Sequence, residues 1–84
     1  MTRVLYFSTE WCGPCRSFKP VVQEVAAQTG APVQFIDADQ HRDMAMRFGV
    51  TSVPTIIVEV GGNVVNKLVG PQAKSTLVNL FKSL

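Results

Sequence analysis

Two cysteines, Cys12 and Cys15, are the only cysteines in the chain, and they lie three positions apart in the segment TEWCGPCR. The sequence predicts that a helix begins directly after Cys12. The first N–H groups of a helix have no internal partner, and the helix dipole is positive there, so both effects favour an anion. Since the thiolate is the attacking species in disulfide exchange, this position suits a reactive Cys12.

The residues around the two cysteines fit the same chemistry. Pro14 suits the first helical turn, because its missing N–H would be unpaired there in any case. Gly13 and Pro14 together hold the loop so that the two sulfurs keep a fixed separation, and Cys15 lies about one turn beyond Cys12. Trp11 places an apolar side chain beside the exposed sulfur. We predict an active-site loop formed by Trp11, Gly13 and Pro14 around a pair that one disulfide can bridge.

Three other roles for the cysteines compete with a redox role. A purely structural disulfide would close a loop of only four residues, and the entropic gain from so short a loop is small. A zinc site or a cluster needs about four ligands, and His41 is the only histidine, so carboxylates or a second chain would have to complete it. The third alternative is that the two cysteines are unreactive and simply pack in the core. A C-x-x-C pair that lies between a strand and a helix favours the redox role. We therefore expect that the protein binds neither a metal nor a cofactor.

The elements that must position this pair follow from hydrophobic periodicity and turn residues. The predicted strands are Val4–Phe7, Val33–Ala38, Thr55–Val60 and Val64–Val69. The predicted helices run from the cysteines to Thr29, from an Asp39 cap to Gly49, and over residues 73–84. The order β-α-β-α-β-β-α makes the first two strands parallel and the last two an antiparallel hairpin. We therefore predict an α/β fold, a four-stranded mixed sheet flanked by helices on both faces.

Length and composition limit the remaining possibilities. The 84 residues suit one domain over residues 1–84, and 46% apolar against 17% charged residues indicates a folded chain. The net charge of +2 is scattered without a basic run, so we expect no nucleic-acid partner. The apolar stretch before Ser8 is too short for a signal peptide or a membrane span. We expect a cytoplasmic monomer, and in that compartment disulfides are usually transient and catalytic.

Several motifs together resemble one known family. The segment WCGPC at Trp11–Cys15 is similar to the active-site motif of thioredoxins, and Pro20 matches their helix-kinking proline. Val53-Pro54-Thr55 resembles their second signature, a proline that opens the third strand. Gly62 in the hairpin and Gly70 before the last helix also fall at family positions. The resemblance covers Arg3 to Leu84 and implies the thioredoxin fold and a general protein-disulfide reductase activity.

The resemblance also implies roles for single residues. Cys12 would be the nucleophile and Cys15 the resolving thiol, while Trp11, Val53, Pro54 and Gly70 would bind the substrate. Pro54 would be cis and packed against the cysteines, which leaves the backbone of Val53 free to pair with a substrate strand. The implied partners are disulfide-containing proteins and a flavin-dependent thioredoxin reductase.

Three features depart from the family pattern. Typical thioredoxins carry a further N-terminal strand and helix that this sequence does not include, so we expect the edge of the second strand to be less covered. Tyr6 stands where most thioredoxins have a buried aspartate, and Phe35 stands where they have its partner lysine. We hypothesise that Cys15 loses its proton through water, or through a Tyr6 hydroxyl that donates and accepts a hydrogen bond.

Two alternative functions remain open at this point. A glutaredoxin-like protein reduced by glutathione fits the short chain and the Val53-Pro54 motif. Glutaredoxins usually carry tyrosine between the cysteines and an acidic, glycine-rich stretch before the last helix, whereas this chain has VGPQAKS there. A structural subunit of a larger complex, or a domain that bridges a cluster between two chains, is the other alternative.

Overall fold

Four strands and three helices follow one another in the predicted order. A computed structural model describes all residues, 1–84. The strands are β1 (Thr2–Ser8), β2 (Val33–Asp37), β3 (Thr55–Val60) and β4 (Asn63–Val69), and the helices are α1 (Gly13–Thr29), α2 (Arg42–Arg47) and α3 (Lys74–Lys82). No helix combines the length and the apolar character needed to cross a lipid bilayer.

The strands form one mixed sheet in the order β2-β1-β3-β4. β1 pairs with β2 in parallel and with β3 antiparallel, and β3 pairs with β4 antiparallel. The predicted parallel first pair and the predicted hairpin are confirmed. The apolar run Val4–Phe7 lies in β1, one of the two inner strands, and all four of its side chains are fully buried. β1 therefore leads from the middle of the core directly to Cys12.

Two apolar clusters cover the two faces of the sheet, which confirms the predicted layers. On one face α1 and α3 pack on β1 and β3 through a cluster of nine buried side chains: Val4, Tyr6, Phe18, Val22, Val25, Ile56, Val58, Leu77 and Phe81. On the other face α2 packs through a smaller cluster: Leu5, Phe7, Ile36, Ala45 and Ile57. The alternation of side chains along β1 divides its residues between the two clusters.

β3 has the predicted bounds, whereas β1 is longer than predicted, β4 begins one residue earlier, at Asn63, and α3 is shorter than predicted. Further differences occur around β2 and α2. The first helix ends at Thr29, and Gly30 adopts the left-handed conformation with φ of 70°. The prediction that Asp39 caps α2 was wrong, because α2 begins at Arg42 and its N-cap residue is His41. The carboxylate of Asp37 accepts hydrogen bonds from the N–H groups of Asp39 and Gln40. This turn ends β2 one residue earlier than predicted and delays the helix.

Candidate functional site

The two cysteines lie where β1 passes into α1. Cys12 is the N-cap residue of α1, and its sulfur accepts a hydrogen bond from the backbone N–H of Cys15 at 3.2 Å. The Cα atoms of Cys12 and Cys15 are 5.2 Å apart, and the two sulfurs form a disulfide. Pro14 lies in the first helical turn. The prediction that the helix begins at the pair and that one disulfide bridges it is confirmed.

The Cys12 sulfur lies at the positive end of a helix of 17 residues whose first turn carries no acidic side chain. The guanidinium of Arg16 donates hydrogen bonds to the carbonyl oxygen of Glu10 at 2.9 and 3.2 Å, which ties the loop before Cys12 to the helix. Unpaired N–H groups and the helix dipole favour negative charge at this point.

Trp11 forms one rim of the site. Its side chain is 69% exposed, and its indole N–H donates a hydrogen bond of 2.7 Å to the carboxylate of Asp39. The contact joins the loop before Cys12 to the turn after β2, 28 residues further along the chain. Asp39, which the sequence assigned to a helix cap, thus orients the tryptophan instead.

Val53 and Pro54 lie on the other side of the cysteines. The Val53–Pro54 peptide bond is cis, and Pro54 is fully buried. The carbonyl oxygen of Val53 is 3.7 Å from the Cys12 sulfur. Neither the N–H nor the C=O of Val53 takes part in a backbone hydrogen bond. The structure therefore places the carbonyl group of Val53 beside the Cys12 sulfur and leaves the main chain of Val53 without a backbone partner, as the family resemblance implied.

Gly70 completes this edge of the site. Its N–H donates a hydrogen bond of 2.8 Å to the carbonyl oxygen of Pro54, which fixes the segment after β4 against the start of β3. Its φ of 86° lies in the left-handed region that glycine adopts without strain. Gly70 thus contacts Pro54, whose neighbour Val53 lies beside the Cys12 sulfur, while Trp11 directly precedes Cys12 in the chain.

Tyr6 and Phe35, which the resemblance places at the positions of a buried aspartate and its partner lysine, contact each other. Tyr6 and Phe35 are paired in the parallel ladder, and their ring centroids are 5.5 Å apart. The Tyr6 hydroxyl donates a hydrogen bond of 3.4 Å to the carbonyl oxygen of Cys15, and burial raises the pKa of Tyr6 to about 12. The hydroxyl is protonated at neutral pH and binds the main chain of Cys15, not its sulfur. This geometry speaks against Tyr6 as the group that takes the Cys15 proton.

A depression of about 400 Å³ opens beside Cys15, between the loop after β1, helix α1 and the end of β2. Its lining residues are Ser8, Thr9, Glu10, Cys15, Arg16, Lys19, Phe35, Ile36 and Asp37. Thr9 is only 7% exposed, and its hydroxyl is the one buried side-chain polar atom without a hydrogen-bond partner. Sequence reasoning did not single out Thr9, and its one available signal was its place three residues before Cys12.

The other titratable candidates lie apart from the cysteines or serve the local fold. His41 is exposed at the start of α2. Asp37 closes β2 through its turn, and Glu10 is exposed in the loop before Trp11. No group of three or more His, Cys, Asp or Glu side chains is arranged to hold a metal ion.

Comparison with known proteins decides which family this arrangement represents. The family model described as Thioredoxin matches residues 1–83. The chain belongs to the thioredoxin family. A solved structure of a mutant thioredoxin from Halobacterium salinarum NRC-1 superposes with a TM-score of 0.90 at 38% identity, covering 98% of this chain and 73% of that one. The thioredoxin fold and a redox-type Cys-x-x-Cys disulfide are therefore both present.

Two curated thioredoxin relatives are longer than this chain. Mitochondrial thioredoxin of Bos taurus is 35% identical over 83 residues, which are 96% of this chain and 50% of that protein. The bifunctional thioredoxin reductase/thioredoxin of Mycobacterium leprae is 38% identical over 74 residues, which are 86% of this chain and 16% of that protein. The chain thus spans half the length of the bovine thioredoxin.

Proposed function

We propose that the chain is a thioredoxin-type protein-disulfide reductase, with Cys12 as the nucleophile and Cys15 as the resolving thiol. The observation that carries this proposal is the position of the Cys12 sulfur. It lies at the N-terminus of α1 and 3.7 Å from the unpaired carbonyl group of Val53. The first feature supports an activated thiolate, and the second supports a main-chain site that holds a substrate beside it.

The reaction transfers two electrons from the dithiol to the substrate. The Cys12 thiolate attacks one sulfur of a substrate disulfide, the new Cys12–substrate bond forms, and the other substrate sulfur leaves and takes up a proton. Cys15 then gives up its proton and attacks the Cys12 sulfur. The Cys12–Cys15 bond forms, the Cys12–substrate bond breaks, and the second substrate sulfur takes up a proton. The product state of the protein is the disulfide form described above.

Substrate binding rests mainly on the main chain in this proposal. An extended substrate segment pairs with the free N–H and C=O of Val53, as a strand added to a sheet edge. The exposed Trp11 covers the substrate on one side, and Gly70 leaves room for its backbone on the other. Recognition through peptide groups selects weakly among sequences, which suits a reductase of many proteins.

A thioredoxin reductase is the proposed source of electrons. The Mycobacterium leprae relative, named as a bifunctional thioredoxin reductase/thioredoxin, supports a partnership of this kind. The acid-free segment before α3 argues against the glutathione-dependent alternative, because glutaredoxins usually use acidic residues there. Thioredoxin has a potential of about −270 mV, and a measured value above about −180 mV would contradict the reductase proposal.

A coupled assay tests the function directly. Insulin disulfide reduction is followed in one reaction driven by NADPH and thioredoxin reductase, and in a parallel reaction driven by glutathione and glutathione reductase. We expect turnover only in the first reaction, abolished by Cys12→Ser. The Cys15→Ser variant should instead accumulate a covalent Cys12–substrate disulfide, visible by mass spectrometry. Turnover only in the second reaction would assign the chain to the glutaredoxin-like alternative.

A further inference from the structure

The hydroxyl of Thr9 is an exception among the buried polar groups of this protein. Thr55, also buried, donates its hydroxyl to the carbonyl oxygen of Ser52 at 2.7 Å, and the buried carboxylate of Glu59 is paired with Arg3. The Thr9 hydroxyl alone has no partner. A buried hydroxyl without a hydrogen bond is costly, and such groups are rare in native proteins. The exception therefore calls for a partner that the disulfide form does not offer.

The position of Thr9 indicates which group that partner is. Thr9 lies between two depressions, one lined also by Cys15 and the other lined also by Trp11 and Val53. Its own carbonyl oxygen accepts a hydrogen bond from the N–H of Cys12 at 3.4 Å, which holds Thr9 close to the cysteine pair. In the disulfide form the Cys15 sulfur is bonded to Cys12, is uncharged and is a weak acceptor, and the Thr9 hydroxyl makes no hydrogen bond to it. When the disulfide opens, the same sulfur becomes a thiol or a thiolate, and a thiolate accepts hydrogen bonds from hydroxyl groups much more strongly. The depression that Thr9 shares with Cys15 then holds a donor and an acceptor that are both only a few per cent exposed.

None of the charged or titratable groups around this depression makes a hydrogen bond to the Cys15 sulfur. Arg16 is bonded to the Glu10 carbonyl oxygen, and Tyr6 to the main chain of Cys15. The Asp37 carboxylate binds the N–H groups of its own turn. Lys19 lies with its ammonium 5.7 Å from the centre of the Phe35 ring, at the outer wall. Glu10 is exposed.

We propose that the Thr9 hydroxyl donates a hydrogen bond to the Cys15 sulfur in the dithiol form and stabilises the Cys15 thiolate during the resolving step. This inference rests on the proposed function, in which Cys15 attacks the Cys12–substrate disulfide. Thr9 keeps its own proton throughout. The Cys15 proton passes to water at the depression, and the leaving substrate thiolate takes up a proton from solvent, so the step balances without a buried carboxylate. Thr9 thereby supplies the stabilisation of Cys15 in a chain that has Tyr6 at the family's aspartate position.

The first test is the redox equilibrium of the cysteine pair, measured against a dithiothreitol buffer. Thr9→Val keeps the shape of the side chain and removes the hydroxyl. It should destabilise the dithiol form and relieve the unpaired hydroxyl in the disulfide form, so both effects favour the disulfide. We expect the equilibrium to move by about tenfold toward the disulfide, a potential lower by about 30 mV. Thr9→Ser keeps the hydroxyl and should retain the wild-type equilibrium.

The second test separates the two chemical steps with a chromogenic aryl disulfide, 5,5′-dithiobis(2-nitrobenzoic acid). The first burst of coloured thiol reports the attack by Cys12, and the second reports its displacement by Cys15. Thr9→Val should slow the second phase by about tenfold at neutral pH, leave the first unchanged, and move the pH midpoint of the second phase upward. Thr29→Val serves as the matched control, because its hydroxyl binds Val25 at the far end of α1. It should change neither phase.

Unchanged second-phase rates and an unchanged equilibrium in Thr9→Val would overturn the inference. Equal effects of Thr9→Val and Thr9→Ser would also overturn it, because they would reveal a packing effect. If Thr9→Val does not fold, Thr9→Ala replaces it in both tests. Both tests use only the cysteine pair and a small disulfide. A chain that fails to reduce insulin would therefore refute the proposed function without deciding the role of Thr9.

Discussion

Raising the pH above about 10 should destabilise the disulfide form through Tyr6, and Tyr6→Phe should remove that effect. Burial raises the pKa of Tyr6 from 10.0 to about 12 in the folded protein. A raised folded pKa means that the contribution to stability is fully present below pH 10 and is lost as the pH rises toward 12. The physical reason is that the phenolate forms readily in the unfolded chain and must lose its hydration in the folded one.

The size of the effect follows from this pKa. One pKa unit corresponds to about 1.4 kcal/mol, so the full loss in the free energy of unfolding is about 3 kcal/mol, and about half of it should appear by pH 11. At neutral pH Tyr6→Phe removes only the hydrogen bond to the Cys15 carbonyl oxygen. Its 3.4 Å length is well beyond the usual range for a hydroxyl donor, so the expected cost is about 0.5 kcal/mol. The two stability curves should therefore cross between neutral pH and pH 11.

Urea denaturation of both proteins at a series of pH values measures this difference. All other ionisable groups are common to both variants, so their contributions cancel when one curve is subtracted from the other. Tyr6 is the only tyrosine, so phenolate absorbance in the near ultraviolet reports its ionisation alone. A native protein whose phenolate appears near pH 10, or a stability difference that does not change with pH, would refute the argument that desolvation governs Tyr6.

Three further predictions concern the core, the segment after β4 and the ion pair between β1 and β3. Leu77→Ala should lower the free energy of unfolding by about 3 kcal/mol, because Leu77 is fully buried between α3 and the sheet; a loss below about 1 kcal/mol in urea denaturation would mean that the core closes around the cavity. Gly70→Ala should lower the free energy of unfolding by about 1 kcal/mol. The loss comes from the φ of 86° alone, since nothing lies within 4 Å of the added methyl group. Thermal denaturation of this variant beside the control Gly13→Ala measures the loss. Arg3→Met should lower the free energy of unfolding by about 1–2 kcal/mol, because Glu59 is only 8% exposed and loses its partner. If the double variant Arg3→Met/Glu59→Met regains this stability, the loss comes from the unpaired carboxylate.

Much of the scaffold could be predicted from local signals. The unbroken apolar run Val4–Phe7 predicted a strand, and it lies within β1 with all four side chains fully buried. The spacing of Cys12 and Cys15 next to Pro14 predicted a helix that begins at the pair, and Cys12 is its N-cap. These signals act within a few residues, where backbone sterics and side-chain periodicity decide the conformation.

The prediction for Asp39 was wrong because two local interactions competed. An aspartate before a helical pattern is a typical cap, but Asp37 two residues earlier closes a turn around the N–H groups of Asp39 and Gln40. The carboxylate of Asp39 was then free to accept the indole N–H of Trp11. Sequence patterns cannot rank such alternatives, because the distant partner enters only when the chain is folded.

Local patterns in the chain were enough to set the order of elements and the cysteine pair at a helix start. The surroundings of that pair depend on how the folded segments pack. Cys12 lies beside the carbonyl group of Val53, which is 41 residues away in sequence, and Thr9 is enclosed with a hydroxyl that has no partner. The physical reason is that spacing and periodicity act over a turn or a strand. The contacts of a buried polar group depend on how separate segments pack, which no local pattern specifies.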